Sequence, residues 1–176
     1  TCYAMAENTF AVTQGGIHAP VAAEVIDGSA LREQQKAVPA SEGTAVRDTV
    51  VSSGTAIPNN QIQIIDANGY ALPEHSVGEI AIRSDSLLNE YYHRPELTAE
   101  ALRDGWYRTG DLGYLAAGNL FVIGRKKDTI IVAGKNLYPH DIEEIVSSIE
   151  GIHPGRVVAF GLYNEAIGTQ EVIILA

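Results

Sequence analysis

Cysteine and positive charge are both scarce in this 176-residue sequence: one cysteine, Cys2, and 12 Lys and Arg against 22 Asp and Glu. A lone cysteine excludes an internal disulfide and makes a cytoplasmic compartment the simplest expectation. A formal net charge of -10 leaves no basic stripe for a nucleic-acid backbone and disfavours docking on an anionic membrane surface. No apolar run reaches the roughly 18 residues of a bilayer span, so no transmembrane segment is expected. No charged-then-apolar leader opens the chain. The five histidines, His18, His75, His93, His140 and His153, lack metal-ligand spacing. Val51-Ser52-Ser53-Gly54-Thr55 is a glycine-containing run, but Ala56-Ile57-Pro58 follows it and the GxxxxGK[ST] phosphate loop is missing. Cys2 has no evident base partner and reads as a small buried residue, and Tyr91-Tyr92 reads as packing.

What is present is a globular composition, 45% hydrophobic and 19% charged, long enough for one domain or two small ones. The chain starts at Thr1 rather than methionine and closes in an apolar strand over 171–176 with no turn residue after it. A piece of a longer polypeptide is therefore expected; a processed chain ending in that strand is the alternative.

Period and punctuation predict the elements. Asp27-Gly28-Ser29 caps a short helix through Gln35. Residues 61–65 alternate as a half-buried strand, Asp66-Ala67-Asn68-Gly69 turns, and 77–83 alternate again with Ile80 and Ile82 on one face. This pattern suits a meander of antiparallel strands. A short helix is expected over 95–102 and strands over 119–124, 128–133 and 156–161, the last of them buried. The clearest helix covers 139–149: Pro139 suits its first position, Asp141, Glu143 and Glu144 complement its N-terminal dipole, and Gly151 ends it. Ile142, Ile145, Val146 and Ile149 line one apolar stripe of that helix. A mostly β part up to Ile123 and a smaller mixed part from about Asp128 thus flank Gly124-Arg125-Lys126-Lys127, a charged, glycine-led joint.

Three runs could carry chemistry. In Tyr3-Ala4-Met5-Ala6-Glu7, a tyrosine can stack on a base and a carboxylate can hold a hard cation beside phosphates. In Gly105-Trp106-Tyr107-Arg108-Thr109-Gly110-Asp111-Leu112, an aspartate just after a glycine turn can accept from both hydroxyls of a ribose; without a ligand the run is a capped turn. In Gly124-Arg125-Lys126-Lys127-Asp128, Arg125 offers a planar fork of donors for phosphate or ribose oxygens; without a ligand it is a solvated turn.

In this order, the runs resemble the adenylate-forming superfamily of acyl-CoA synthetases, fatty-acyl-AMP ligases, nonribosomal peptide adenylation domains and luciferases. Tyr3-Ala4-Met5-Ala6-Glu7 is similar to its aromatic-Gly-x-Thr/Ala-Glu motif, and Gly78-Glu79-Ile80 to its Gly-Glu-Ile/Leu strand. Tyr107-Arg108-Thr109-Gly110-Asp111 matches its Tyr-Arg/Lys-Thr-Gly-Asp motif in full. Gly124-Arg125-Lys126-Lys127-Asp128 with Gly134 resembles its hinge motif. The resemblance implies an α+β fold: a β-rich remnant of a large domain over 1–123, part of a distorted barrel, a hinge at 124–128, and the start of a small α+β lid over 129–176. It implies that Tyr3, Ala4, Met5, Ala6, Asp111, Ile123 and Arg125 surround ATP or AMP, with Tyr3 stacked on adenine and Asp111 on the ribose. Glu7 would hold Mg2+, Glu7 and Arg125 would serve catalysis, Lys127 would be the pivot, and Gly134 would line the thiol channel.

The implied activity is ATP-dependent conversion of a carboxylic acid, a fatty acid above all, to acyl-AMP, followed by transfer to a phosphopantetheine thiol. Ala6 and the run Lys135-Asn136-Leu137-Tyr138-Pro139-His140-Asp141-Ile142-Glu143 resemble the fatty-acyl-AMP ligase branch, which favours an acyl carrier protein over coenzyme A as acceptor. Two elements of the family pattern are missing: the Ser/Thr/Gly-rich phosphate loop, expected before Thr1, and the catalytic lysine, expected after Ala176. The isolated chain is therefore expected to be inactive. A non-catalytic nucleotide-binding module is the alternative class, and an intact phosphate loop upstream would decide against it.

Overall fold

A computed structural model of the chain describes residues 1–16 and 20–176; His18 lies outside the described residues. The elements run β1 (Cys2–Ala4), β2 (Ala11–Gln14), β3 (Ala23–Asp27), α1 (Gly28–Gln34), β4 (Arg47–Val51), β5 (Gly54–Ala56), β6 (Asn60–Ile65) and β7 (Gly78–Ser84). There follow α2 (Pro95–Ala101), β8 (Leu102–Arg103), β9 (Trp106–Ala116), β10 (Asn119–Arg125), β11 (Ile130–Val132), β12 (Lys135–Leu137), α3 (Pro139–Ser147), β13 (Val158–Asn164) and β14 (Thr169–Leu175). The expected α+β class and β-rich character hold. The main sheet is open, with strand order β1-β2-β5-β10-β9-β7-β6 and β8 attached to β9. The two-stranded sheets β3–β4, β11–β12 and β13–β14 stand outside it. Among the described residues no helix is long and apolar enough to cross a membrane.

Local chemistry explains several elements. The Asp27 side chain accepts from the Ser29 and Ala30 N–H groups at 2.8 and 3.2 Å, which starts α1, and Gln35 ends it in the left-handed region at φ 53°. Asp27→Ala is expected to cost about 0.5–2 kcal/mol in denaturant unfolding. The glycine-containing run at 51–55 is structural: Gly54 has φ +97°, and a Cβ there would lie 2.1 Å from the Gln14 carbonyl carbon. It lets β5 lie between β2 and β10.

The central strands are covered on both faces. One core cluster holds Ile26, Leu31, Val77, Tyr114, Phe121, Ile123 and Tyr138. The other holds Tyr3, Val12, Ile64, Ile80, Ile82, Tyr107 and Leu120. Tyr114 and Phe121 face each other across β9 and β10, with ring centroids 4.8 Å apart and planes 2° from parallel.

Four expectations change. Cys2, expected to be buried, is exposed. The strand expected to be buried over 156–161 is β13, in which Val158 is 52% and Phe160 40% exposed. β9, an eleven-residue strand, replaces the glycine-bracketed turn expected at 105–112. The helix expected over 139–149 ends at Ser147, and its stripe is not a buried one: Ile145 is 68% and Ile149 55% exposed.

Candidate nucleotide site

β9 breaks its own ladder where the chemistry lies. Its register against β7 shifts between Glu79 and Ala81, and against β10 between Val122 and Gly124. Gly110 takes φ +73°, a conformation that favours glycine, and its N–H donates to Glu79 Oε1 at 3.2 Å. Glu79, nearly buried, also accepts from Lys126 Nζ at 3.2 Å, and the Lys126 N–H donates to Gly110 O at 2.9 Å. The Thr109 hydroxyl donates to Ile80 O at 2.8 Å and accepts from the Asp111 N–H at 3.0 Å.

This bulge sets Asp111 at the mouth of a cleft of about 1040 Å3. Its Oδ2 accepts from the Tyr3 hydroxyl at 2.6 Å, and its Oδ1 lies 3.3 Å from Arg125 Nε, directly across the strand pair. The Asp111 side chain is 15% exposed. Each carboxylate oxygen has two lone pairs, so both can still accept from a diol. Burial, then the bond to Asp111, pushes the Tyr3 phenol well above its ordinary value, so Tyr3 stays a donor at neutral pH.

The cleft collects most of the sequence candidates: Ala4, Met5, Ala6, Glu7, Asp111, Arg125 and Lys127 all line it. Tyr3 sits behind its wall, 9% exposed, ring in the core and hydroxyl on Asp111. Ile123 does not line the cleft; alternation along β10 turns it into the opposite core cluster with Tyr114 and Tyr138. Gly134, φ +82°, stands on an exposed turn between β11 and β12 with no atom within 4 Å of an added Cβ, and it does not line the cleft.

Sequence reading missed Glu79 as a support for the bulge, and it assigned Tyr91-Tyr92 to packing. Tyr92 is 84% exposed, whereas Tyr91 lines the cleft and donates to Glu7 Oε1 at 3.2 Å. Both signals lie in contacts between segments far apart in sequence.

Among the described residues no group of three or more His, Cys, Asp and Glu could hold a metal ion. Glu7 alone suits Mg2+, which uses one or two carboxylates together with substrate phosphates and water.

The stretch after the joint touches the first part at charged contacts. Arg32 Nη2 lies 2.9 Å from Asp48 and 3.1 Å from Asp141, and Lys135 Nζ lies 2.7 Å from Glu33. His140 Nε2 lies 3.1 Å from Asp141. The Asp141 bond raises the His140 pKa against the lowering effect of burial, and the charges of Asp141, Glu143 and Glu144 add to it. Burial pushes Asp141 up, but His140 and Arg32 outweigh it and hold its carboxyl below the usual range. A raised histidine stabilises fully below its ordinary pKa of about 6.5, and the benefit fades as pH rises through the folded value. The melting temperature should therefore decline as pH rises from about 6.5, and His140→Ala should flatten that slope. An unaltered slope in the variant would refute the assignment.

No family model matches the chain. A putative acyl-CoA synthetase of Caulobacter vibrioides is 35% identical over 175 residues, covering 98% of this chain and 30% of that protein. A fatty acid–[acyl-carrier-protein] ligase of Streptomyces coeruleorubidus is 42% identical over 120 residues, 66% of this chain and 22% of that protein. A solved structure from a study of fatty acyl-adenylate ligases of E. coli and L. pneumophila superposes with a TM-score of 0.88 at 36% identity, covering 98% of this chain and 30% of its own. The chain thus spans about 30% or less of the length of these relatives. Sequence, fold and the strand geometry around Asp111 agree: the chain belongs to the adenylate-forming, AMP-binding ligase superfamily and matches its C-terminal part.

Proposed function

We propose that this chain supplies the nucleoside-binding wall and the pivot of an enzyme that activates a fatty acid as acyl-AMP and passes the acyl group to the phosphopantetheine thiol of a carrier protein. The observation that carries this reading is Asp111, raised into the cleft by the Gly110 bulge and braced by Tyr3 and Arg125. In the first half-reaction a carboxylate oxygen of the acid attacks the α-phosphorus of ATP, the bond to the β-phosphate oxygen breaks, and pyrophosphate leaves. The protein's share is positioning and charge stabilisation. Asp111 accepts from the ribose hydroxyls, and Tyr3, its ring in the core and not in the cleft as adenine stacking would require, fixes Asp111. Ala4, Met5 and Ala6 form the floor beside it, and Arg125 donates to ribose or phosphate oxygens. Mg2+ held at Glu7 would offset charge on the departing pyrophosphate.

In the second half-reaction the thiol attacks the acyl carbonyl and AMP leaves. A boundary at 124–128, with Lys127 as pivot, fits the bonds that tie Lys126 to Gly110 and Glu79 on the sheet side. Rotation there would carry the Gly134 turn from the surface to the cleft, where it would line the thiol channel. The carrier-protein ligase from Streptomyces favours a carrier acceptor. Coenzyme A is the second reading, favoured by the acyl-CoA synthetase from Caulobacter.

The test is calorimetric titration of the chain with a nonhydrolysable acyl-AMP mimic in the presence of Mg2+. Binding that Asp111→Ala abolishes supports the reading, and binding that survives the substitution unchanged overturns it.

A further inference from the structure

The loop between β7 and α2 is bonded to the turn that carries Glu7. The Leu88 N–H donates to Glu7 O at 2.8 Å, and the Thr9 hydroxyl donates to Ser86 O at 3.1 Å. The Ser84 hydroxyl donates to Asn8, whose amide donates in turn to Ala11 O at 2.8 Å and Asn60 Oδ1 at 2.9 Å. These bonds fix the Glu7 backbone and leave its side-chain torsions to be set by something else. Tyr91 supplies that contact through its hydroxyl, 3.2 Å from Glu7 Oε1 and 2.9 Å from the Tyr107 hydroxyl.

Proton bookkeeping gives the chain of hydroxyls a direction. An ionised carboxylate only accepts, so the single Tyr91 proton goes to Glu7. Tyr107 must then donate to Tyr91. Tyr107 is 5% exposed in the core, and Tyr91 is itself held by its N–H bond to Thr98 Oγ1 at 2.9 Å. Burial raises both phenols above their ordinary range, so both keep their protons at neutral pH. Tyr91 thereby takes one of the two lone pairs of Glu7 Oε1 from the loop side, which leaves Oε2 the less engaged oxygen for a ligand in the cleft.

We infer that Tyr91, relayed from Tyr107, is a positioning residue that fixes which oxygen of Glu7 is presented to a phosphate-bound divalent cation. This rests on the ATP reading of the cleft. The experiment measures Mn2+ affinity by electron paramagnetic resonance for the chain with a nonhydrolysable ATP analogue. It is paired with NMR relaxation of selectively 13C-labelled Glu7 in the nucleotide-free chain. Tyr91→Phe is expected to weaken Mn2+ binding about tenfold, and Glu7→Gln at least as much. The double variant should bind no worse than Glu7→Gln alone, since the two act as one unit. Glu7 should become more mobile in Tyr91→Phe and, by loss of the upstream donor, in Tyr107→Phe. Unchanged Glu7 order in Tyr91→Phe overturns the inference whatever the metal does. Loss of Mn2+ binding in Glu7→Gln with wild-type binding in Tyr91→Phe overturns it while leaving the Glu7 role standing. Wild-type Mn2+ binding in Glu7→Gln overturns the metal reading of Glu7 and the inference with it.

Discussion

Asp111→Ala is expected to weaken binding of the acyl-AMP mimic by about a hundredfold or more, because two hydrogen bonds to a charged acceptor, each about 1.5–3 kcal/mol, disappear together. The substitution also disturbs the protein. It removes the acceptor of the buried Tyr3 hydroxyl and the partner of Arg125. An orphaned buried hydroxyl costs about 1–3 kcal/mol, whereas the exposed end of the Arg125 pair is worth little. Loss of binding could then reflect loss of fold, and a second substitution separates the two. Tyr3→Phe removes the stranded hydroxyl while keeping the ring. The double variant Tyr3→Phe/Asp111→Ala should recover the stability lost in Asp111→Ala and recover none of the binding. Tyr3→Phe alone should bind weakly to moderately less well, since Asp111 keeps its charge and loses one brace. Recovery of mimic binding in the double variant would show that Asp111 acts on the fold and not on the nucleoside.

The legible parts of the fold were those written in neighbouring residues. Asp27-Gly28-Ser29 announces α1 because the cap bonds span only two and three positions. Ile80 and Ile82 announce β7 because large apolar residues alternate there with Glu79, Ala81 and Arg83, so the period survives in the sequence although Glu79 and Ala81 on the other face are buried too. β9 was illegible for the opposite reason. It is sandwiched between β7 and β10, buried on both faces in part, and interrupted by the Gly110 bulge, so neither alternation nor a continuous apolar run marks it. Only its ladder partners decide that Trp106–Ala116 is a strand. The stripe on α3 was legible as a pattern, but a pattern does not say what covers it, and Ile145 and Ile149 stand exposed.

The same division runs through the cleft. Glu7, Asp111 and Arg125 sit in short contiguous motifs, and resemblance alone could single them out. Glu79 and Tyr91 act on residues 31 and 84 positions away in sequence, and no local signal distinguishes such a tyrosine from a packing one. Ile123 shows the converse limit. A motif places it two residues before Arg125, where alternation alone would keep both on one face; the register shift between Val122 and Gly124 separates them and leaves Ile123 in the core with Phe121.

Tyr138 should give opposite stability effects on two substitutions. It is 2% exposed, packed in the cluster of Tyr114, Phe121 and Ile123, and its hydroxyl is buried without a hydrogen-bond partner among the described residues. Burial pushes its pKa up to about 12. Tyr138→Ala should destabilise by about 3–5 kcal/mol, the range for emptying a buried aromatic site. Tyr138→Phe keeps the ring, removes a polar atom that folding leaves unsatisfied, and should stabilise by about 1 kcal/mol or more. Denaturant midpoints at unchanged slope would measure both. Tyr138 lies beyond the joint in sequence yet is buried against β9 and β10, so rotation at Lys127 would have to withdraw the ring from that cluster. Tyr138→Ala should therefore also loosen the stretch after Lys127, seen as faster amide exchange in β11 to α3 with β9 and β10 less affected. A Phe variant less stable than the parent would mean that the hydroxyl has a partner in solution, with water the first candidate. Uniform exchange across both parts in the Ala variant would mean that the two unfold as one body and that Tyr138 does not hold a separable joint.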